Sequence, residues 1–145
     1  MGRYSANVVF ALVALVAIGG LLHLATAPAP AQHGANVHVT GKVVDKLLKH
    51  FEGSHGLTGV RAIEYRRFTM APGATMSGDM VFDDHADLCI VEKGSVIFTM
   101  ADGSTRTFRA GDVYITPRGA KQKRAVADPK LGFQELMWVI KVKGH

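Results

Sequence analysis

The sequence is poor in cysteine and lacks the short motifs of common nucleophilic and phosphate chemistry. One Cys in 145 residues excludes an internal disulfide framework and a zinc site built from four cysteines. The patterns G-x-S-x-G and H-E-x-x-H and the glycine-rich phosphate loop are absent, which argues against the enzyme classes that they mark. The chain is also too short for a complete TIM barrel, which needs about 250 residues.

The composition is that of a folded protein with a modest positive charge. Hydrophobic residues make up 48% of the chain, and the formal net charge is +5, which argues against a disordered chain. Lys121, Lys123 and Arg124 form a basic cluster without aromatic residues beside it, so we expect no nucleic-acid binding. An anionic membrane surface or an acidic partner fits this charge better.

An apolar run near the N-terminus predicts export. Residues 8–22 carry no polar side chain, and if His23 and Thr26 are allowed the apolar stretch continues to Ala27, long enough for one helix to cross a bilayer. We predict a signal anchor or signal peptide at 1–27, a linker at 28–37 and one domain at 38–145. An uncleaved anchor places the domain on the periplasmic face of the bacterial inner membrane. Cleavage after Ala31 would release it to the periplasm or the medium.

The segment after the linker has helical periodicity. Its apolar residues recur three and four positions apart, with Thr40 as a candidate N-cap and Gly53 as a candidate C-terminal glycine; they are Val43, Val44, Leu47, Leu48 and Phe51. This pattern predicts one short amphipathic helix with a basic outer face.

From Gly59 onward the period becomes two, which predicts short strands separated by turn residues. The Asp102-Gly103 pair is a strong hairpin signal. The spacing indicates an antiparallel sandwich or barrel. The predicted strands are Val60–Met70, Leu88–Val91, Val96–Met100, Thr105–Phe108, Val113–Thr116 and Leu136–Val142.

Two stretches, Pro72 to Val96 and Gly111 to Gln122, resemble the two motifs of the cupin family, small β-barrels of the jelly-roll type. The matching positions are glycines and a proline: Gly73, Gly94, Gly111, Pro117 and Gly119. The resemblance implies an all-β fold, a cupin-type jelly-roll β-barrel. To this barrel the sequence adds one short N-terminal helix and an N-terminal membrane-spanning or signal helix.

The chain departs from the cupin pattern at the metal ligands. Family members hold a divalent metal with three histidines and one carboxylate. Here the histidine positions hold Asp79, Val81 and Gln122, and Asp87 stands near the carboxylate position. The resemblance thus implies the fold and weakens the usual activity. We expect no cofactor and favour no metal, although Asp79, His85, Asp87 and Gln122 would be the ligands of a divalent ion if one bound.

Strand periodicity suggests another set of site residues. His85, Asp87 and Cys89 share one strand face, which would point into the barrel if Asp87 does. We predict a ligand pocket lined by Asp79, His85, Asp87, Cys89, Tyr114 and Gln122. Further lining candidates are Tyr65, Met80, Phe82 and Trp138.

The leading functional hypothesis is non-enzymatic: a membrane-tethered, exported protein that binds a small ligand or serves as an accessory subunit of a membrane or periplasmic complex. One alternative is a cupin enzyme with an atypical metal or an acid-base site using His85, Asp87 and Gln122. A second is periplasmic copper binding through soft or borderline ligands, namely Met76, Met80, His85 and Cys89. The resemblance also implies a homodimer, with the apolar strand Leu136–Val142 as a candidate edge.

Overall fold

The structure is a computed structural model and describes residues 36–143. The predicted anchor at 1–27 and nearly all of the linker at 28–37 lie outside the described residues. No helix in residues 36–143 is long and apolar enough to cross a membrane. The described chain forms nine strands: β1 His38–Thr40, β2 Val43–Glu52, β3 Val60–Met70, β4 Thr75–Val81, β5 His85–Met100, β6 Thr105–Arg109, β7 Val113–Thr116, β8 Lys121–Ala127 and β9 Phe133–Val142.

All strand pairs are antiparallel, and the sheet curls around one core. Along the sheet the strands run β1-β4-β8-β5-β9-β3-β2, while β6 and β7 also pair with β5. The N-terminal part of β5 pairs with β7 and β9, and its C-terminal part pairs with β6 and β8. The core lies between these two halves of the sheet and includes Phe68, Met70, Met76, Val96, Phe98 and Phe133. The predicted all-β architecture is therefore confirmed.

Gly94 is the point at which β5 passes from one half of the sheet to the other. Its φ is 71°, a left-handed conformation that L side chains rarely adopt. A Cβ at this position would lie 1.8 Å from the carbonyl oxygen of Gly132. The prediction that Gly94 separates two strands is wrong, because residues 88–91 and 96–100 belong to the single strand β5. Strands β1, β4 and β8 were not predicted from the sequence.

The predicted helix over residues 43–51 is wrong, because this segment is the strand β2. It pairs with β3, and the register shifts between Leu47 and Lys49. An extra residue in one strand reverses the facing of the residues after it, so a bulged strand can imitate helical spacing. Val44 and Leu47, which the helix would have buried, are exposed, while Asp45 is buried. Pairing with the free edge of β3 overrides the local periodicity.

The last strand, β9, is not the sheet edge that we predicted, because it lies between β3 and β5. It does contribute to a set of exposed apolar residues on the outside of the barrel: Leu88, Ile90, Val113, Ile115 and Trp138. Leu88 stands opposite both Ile115 and Trp138. These five residues, called here the outer apolar face, span three adjacent strands.

Candidate functional site

The barrel contains a partly open cavity of about 540 Å³. Ligand pockets generally measure about 300–1,000 Å³, so this volume suits a small organic molecule. Its polar lining comprises Asp45, Arg61, Glu64, Arg66, Asp84, His85, Asp87, Cys89, Tyr114, Thr116, Gln122, Glu135 and Lys141. The apolar lining comprises Phe68, Met76, Met80, Val81, Phe82, Phe98, Ala125, Met137 and Val139.

The first part of β5 supplies three of these side chains. His85, Asp87 and Cys89 alternate along the strand and all line the cavity, as the two-residue period of a strand requires. Cys89 stands opposite Tyr114 of β7 and Met137 of β9. The structure thus brings together five of the six predicted pocket residues, since Gln122 of β8 also lines the cavity.

Asp79, the sixth predicted residue, lies outside this cavity. Its carboxylate is exposed and pairs with the ammonium group of Lys123 on the neighbouring strand. The register between β4 and β8 shifts between Ser77 and Met80, and Met80 then stands opposite Gln122. Met76 and Met80, four positions apart, both line the cavity, so Asp79 faces outward by the ordinary alternation of side chains along a strand. The count from Gly73 along the family motif does not use this alternation, and it therefore selected Asp79.

Tyr65 and Trp138, two of the wider lining candidates, also lie away from the cavity. They stand opposite each other on β3 and β9, and their ring centroids are 4.6 Å apart. Their neighbours along β3 and β9, Glu64, Arg66, Met137 and Val139, do line the cavity. Tyr65 and Trp138 therefore belong to the opposite face of the sheet, as the alternation of side chains along a strand requires.

Asp87 is the most unusual polar group of the cavity. It is 5% exposed, and among the described residues its Oδ1 has no hydrogen-bond partner. The Nε2 atom of His85 lies 3.8 Å from this oxygen, beyond hydrogen-bond distance. Burial raises the pKa of Asp87 to about 6, although the nearby His85 acts in the opposite direction. A buried polar atom without a partner costs about 1–3 kcal/mol.

Glu135 is a second buried acid, and the sequence analysis missed it. Tyr114 donates a hydrogen bond of 2.5 Å to its Oε2, and the thiol of Cys89 interacts with both groups. Burial raises the pKa of Glu135 to about 8, so at neutral pH the carboxyl group is mainly protonated. Burial also raises the pKa values of the Cys89 thiol and the Tyr114 hydroxyl, which keeps both groups neutral.

A buried ion cluster joins β2 to β3. The guanidinium of Arg66 donates to Asp45 Oδ1 at 2.8 Å and to Glu64 Oε2 at 2.7 Å. Lys141 of β9 approaches the other oxygen of Glu64 at 2.9 Å. Burial by itself would raise the pKa of Glu64, but Lys141 and Arg66 outweigh it and lower that pKa. These charges are therefore largely compensated within the protein.

Asp84 orients the imidazole of His85. Its Oδ1 lies 2.6 Å from His85 Nδ1, and this hydrogen bond lowers the pKa of Asp84. With the proton assigned to Nδ1, the Nε2 atom is the acceptor nitrogen and lies on the side of Asp87. The arrangement is that of a carboxylate holding a histidine in one tautomer, which general-base catalysis uses.

The sequence contained a usable signal for some of the missed residues. Glu64 and Arg66 occupy alternate positions with the buried Ala62 and Phe68 in β3, so period two alone would have turned them inward. Glu135 likewise alternates with Phe133 in β9. By contrast, the helix predicted over residues 43–51 gave no reason to place Asp45 in the cavity. The residue spacing likewise gave no reason to select Asp84.

The residues present do not fit the usual cupin metal. The family site needs three imidazoles and a carboxylate, whereas His85 is the one histidine among the described lining residues. No group of three or more His, Cys, Asp and Glu side chains in residues 36–143 is arranged to hold a metal ion. The expectation that no cofactor binds stays a prediction.

Comparison with known proteins identifies the fold. Residues 68–131 match the sequence profile of the EutQ-like cupin domain, whereas no curated protein matches the chain by sequence. The structure is similar to that of a predicted oxalate decarboxylase from Thermotoga maritima, with a TM-score of 0.52 and 18% identity, covering 72% of this chain and 84% of that one. It is also similar to a cupin-like protein from Thermotoga maritima MSB8, with a TM-score of 0.53 and 17% identity over 78% of this chain and 80% of that one.

A third similar structure is the polyketide cyclase RemF from Streptomyces resistomycificus, with a TM-score of 0.50 and 17% identity over 71% of this chain and 72% of that one. At such identities the likeness concerns the fold and carries no activity across. The matched profile, the shared barrel and the motif glycines agree with the resemblance seen in the sequence. Residues 68–131 thus match a cupin domain by sequence, and the fold of the described residues is that of the cupin barrel.

Proposed function

We propose that the chain is a binding protein for a small organic molecule held inside the barrel. The observation that carries this proposal is the carboxylate of Asp87, which lines a cavity of about 540 Å³ and whose Oδ1 has no hydrogen-bond partner among the described residues. A ligand that donates a hydrogen bond to this carboxylate would offset the cost of burying it. Both the volume and the mixed lining suit a molecule with an apolar body and a few polar groups.

The test is to identify the ligand in protein purified from its own source without a chelator. The protein is denatured and its supernatant is analysed by mass spectrometry, and we expect close to one equivalent of one organic compound. The variant Ala125→Phe places a ring at a lining position and should lose that compound. Val113→Phe lies on the outer face and should retain it.

Thermal unfolding of both variants separates loss of the ligand from loss of the fold. Recovery of no organic compound from the folded wild-type protein, together with no binding of added small molecules, would refute the proposal. Recovery of near one equivalent of metal instead would favour an atypical metal site.

A second candidate function is acid-base catalysis in the same cavity. The specific observation in its favour is the 2.6 Å contact between Asp84 and His85, which leaves Nε2 free to accept a proton near Asp87. In this case His85→Ala and Gln122→Ala would abolish turnover of the identified ligand. If the ligand is recovered unchanged after incubation with the wild-type protein, binding without catalysis is the remaining function.

Copper binding receives less support from the site. Met76, Met80, His85 and Cys89 all line the cavity, but burial raises the pKa of the Cys89 thiol, and the thiolate is the form that binds metals. Copper titration of the wild-type protein and of Cys89→Ser tests this alternative. Equal copper affinities of the two proteins would exclude Cys89 as a ligand.

Export, membrane tethering and service as an accessory subunit form the remaining part of the proposal. Their support is the apolar run at residues 8–22, which lies outside the described residues. Cell fractionation with protease protection tests the location of the domain. A full-length protein that is solubilised in detergent and runs alone, without a co-purifying subunit, would contradict the accessory role.

A further inference from the structure

The ion pairs of the cavity show which of its charges are already compensated. Arg66 binds Asp45 and Glu64 at 2.8 and 2.7 Å, and Lys141 binds Glu64 at 2.9 Å. Two carboxylates and two cations thus form one buried cluster whose charges balance. None of these four groups has an unmatched charge to offer to a ligand.

Asp84, a further acid of the cavity lining, is also paired. Asp84 receives the hydrogen bond of His85, and Arg61 lies 3.8 Å from its second oxygen. Both Asp84 and Arg61 are about half exposed, so water screens whatever charge remains. A ligand would gain little from either group.

Asp87 is the carboxylate of the cavity that none of these ion pairs includes. Among the described residues, its one ion-pair contact is with His85 at 3.8 Å, and that contact is charged only if the imidazole is protonated. Arg66 acts on Asp87 only from a greater distance, while Asp45 and Asp84 add negative potential. Glu135, the remaining acid, is hydrogen-bonded to Tyr114. The cavity therefore offers one buried, uncompensated negative site.

The apolar lining of the cavity that contains this carboxylate suits an organic cation. Three methionines and three phenylalanines contribute thioether sulfurs and ring faces, namely Met76, Met80, Met137, Phe68, Phe82 and Phe98. Aromatic faces attract cations, and the effect is larger in desolvated sites. Methionine side chains adapt to apolar bodies of different shapes. A small anion would instead be repelled by Asp87, because Arg66 and Lys141 are already paired with carboxylates of the protein.

We propose that the ligand of the cavity is a small amphipathic amine, with its ammonium group bound by Asp87 and its apolar body packed against the methionine and phenylalanine side chains. This inference rests on the proposed function, because it specifies the chemical class of the molecule that the barrel binds. It requires no chemical step and no cofactor.

The experiment compares three probes of the same shape and different head groups: benzylamine, benzyl alcohol and benzoate. Their affinities for the intact protein are measured by calorimetry and by ligand-observed NMR at pH 7.5. We expect benzylamine to bind about tenfold or more tightly than benzyl alcohol, since a hydrogen bond between charged groups exceeds a neutral one by about that factor. Benzoate should bind most weakly.

The variants Asp87→Asn and Asp79→Asn assign the effect to one carboxylate. Asp87→Asn should weaken benzylamine about tenfold or more and leave benzyl alcohol within about threefold. Asp79→Asn removes an exposed acid outside the cavity and should leave all three affinities unchanged. Thermal unfolding without probe shows whether each variant is folded.

The outcomes distinguish failure of the amine inference from failure of the proposed binding function. If the three probes bind equally, or if benzoate binds best, or if folded Asp87→Asn retains the affinity for benzylamine, the amine is excluded while binding in the cavity stands. If no probe binds and no organic molecule co-purifies, the proposed function fails together with this inference.

Discussion

Replacing Glu135 by Gln should stabilise the protein at neutral and alkaline pH. Glu135 is 3% exposed, and burial raises its pKa from 4.5 to about 8. Between these two values the folded protein holds a proton that the unfolded chain has released. The free energy of unfolding therefore falls as the pH rises through this window and is least affected below pH 4.5. Glutamine is neutral at every pH and has nearly the shape of the protonated acid.

The size of the effect follows from the two pKa values. Each unit of pKa difference corresponds to about 1.4 kcal/mol. Relative to its value below pH 4.5, the free energy of unfolding is therefore lowered by Glu135 by roughly 3 kcal/mol at pH 7 and roughly 4–5 kcal/mol above pH 8. The side-chain oxygen of glutamine can still accept the hydrogen bond of Tyr114. Its amide can donate in place of the carboxylic acid. We expect E135Q to match the wild type at pH 4.5 to within about 1 kcal/mol and to exceed it by about 3 kcal/mol at pH 7.

The assay is urea unfolding of both proteins at pH 4.5, 6, 7 and 8, with the slope against urea checked for constancy. Glu52→Gln is the control, because Glu52 is exposed at the end of β2 and its replacement should change stability by a few tenths of a kcal/mol at most. A stability difference between E135Q and the wild type that does not grow with pH would show that Glu135 is ionised in the folded protein, and the reasoning would fail.

Three further changes test other parts of the structure. Arg66→Met leaves two buried carboxylates without their guanidinium and should lower the free energy of unfolding by about 3–5 kcal/mol, whereas the exposed Arg61→Met should change it by less than about 1 kcal/mol in the same urea assay. Gly94→Ala forces a methyl group against the carbonyl of Gly132 at a positive φ and should cost more than about 1 kcal/mol; an unchanged melting temperature would contradict the described bend of β5. Ile115→Lys introduces a charge on the outer apolar face, where exposed apolar patches commonly bind partners, and should convert a homodimer to monomers in sedimentation velocity without a loss of stability; if the wild type already sediments as a monomer, this face does not pair two copies.

Local patterns of the sequence were sufficient for the general fold. Period-two runs and turn glycines predicted antiparallel strands, and the spacing of Gly73, Gly94 and Gly111 indicated the cupin barrel. The same period placed His85, Asp87 and Cys89 on one face. These features are readable because alternation and turn conformation depend on neighbouring residues only.

Features that depend on pairing between distant strands were not readable. The bulge near Leu48 gave β2 a helical spacing, and only its pairing with β3 shows it to be a strand. In β2 one unpaired residue reverses which side chains face the core, and the sequence does not mark that residue.

The sequence by itself determined the likeness to the cupin motifs and the lack of the histidine set of the usual metal site, because the identity of the residues at motif positions decides which ligands exist. Only the tertiary structure decided how deeply those residues are buried and which charges lie near them. Asp87 and Glu135 are unremarkable acids in the sequence, and their pKa values rise because strands distant in the chain remove them from water. Compensation of charge is equally non-local, since Arg66 neutralises Asp45 across 21 positions while Asp87 keeps an oxygen without a partner among the described residues.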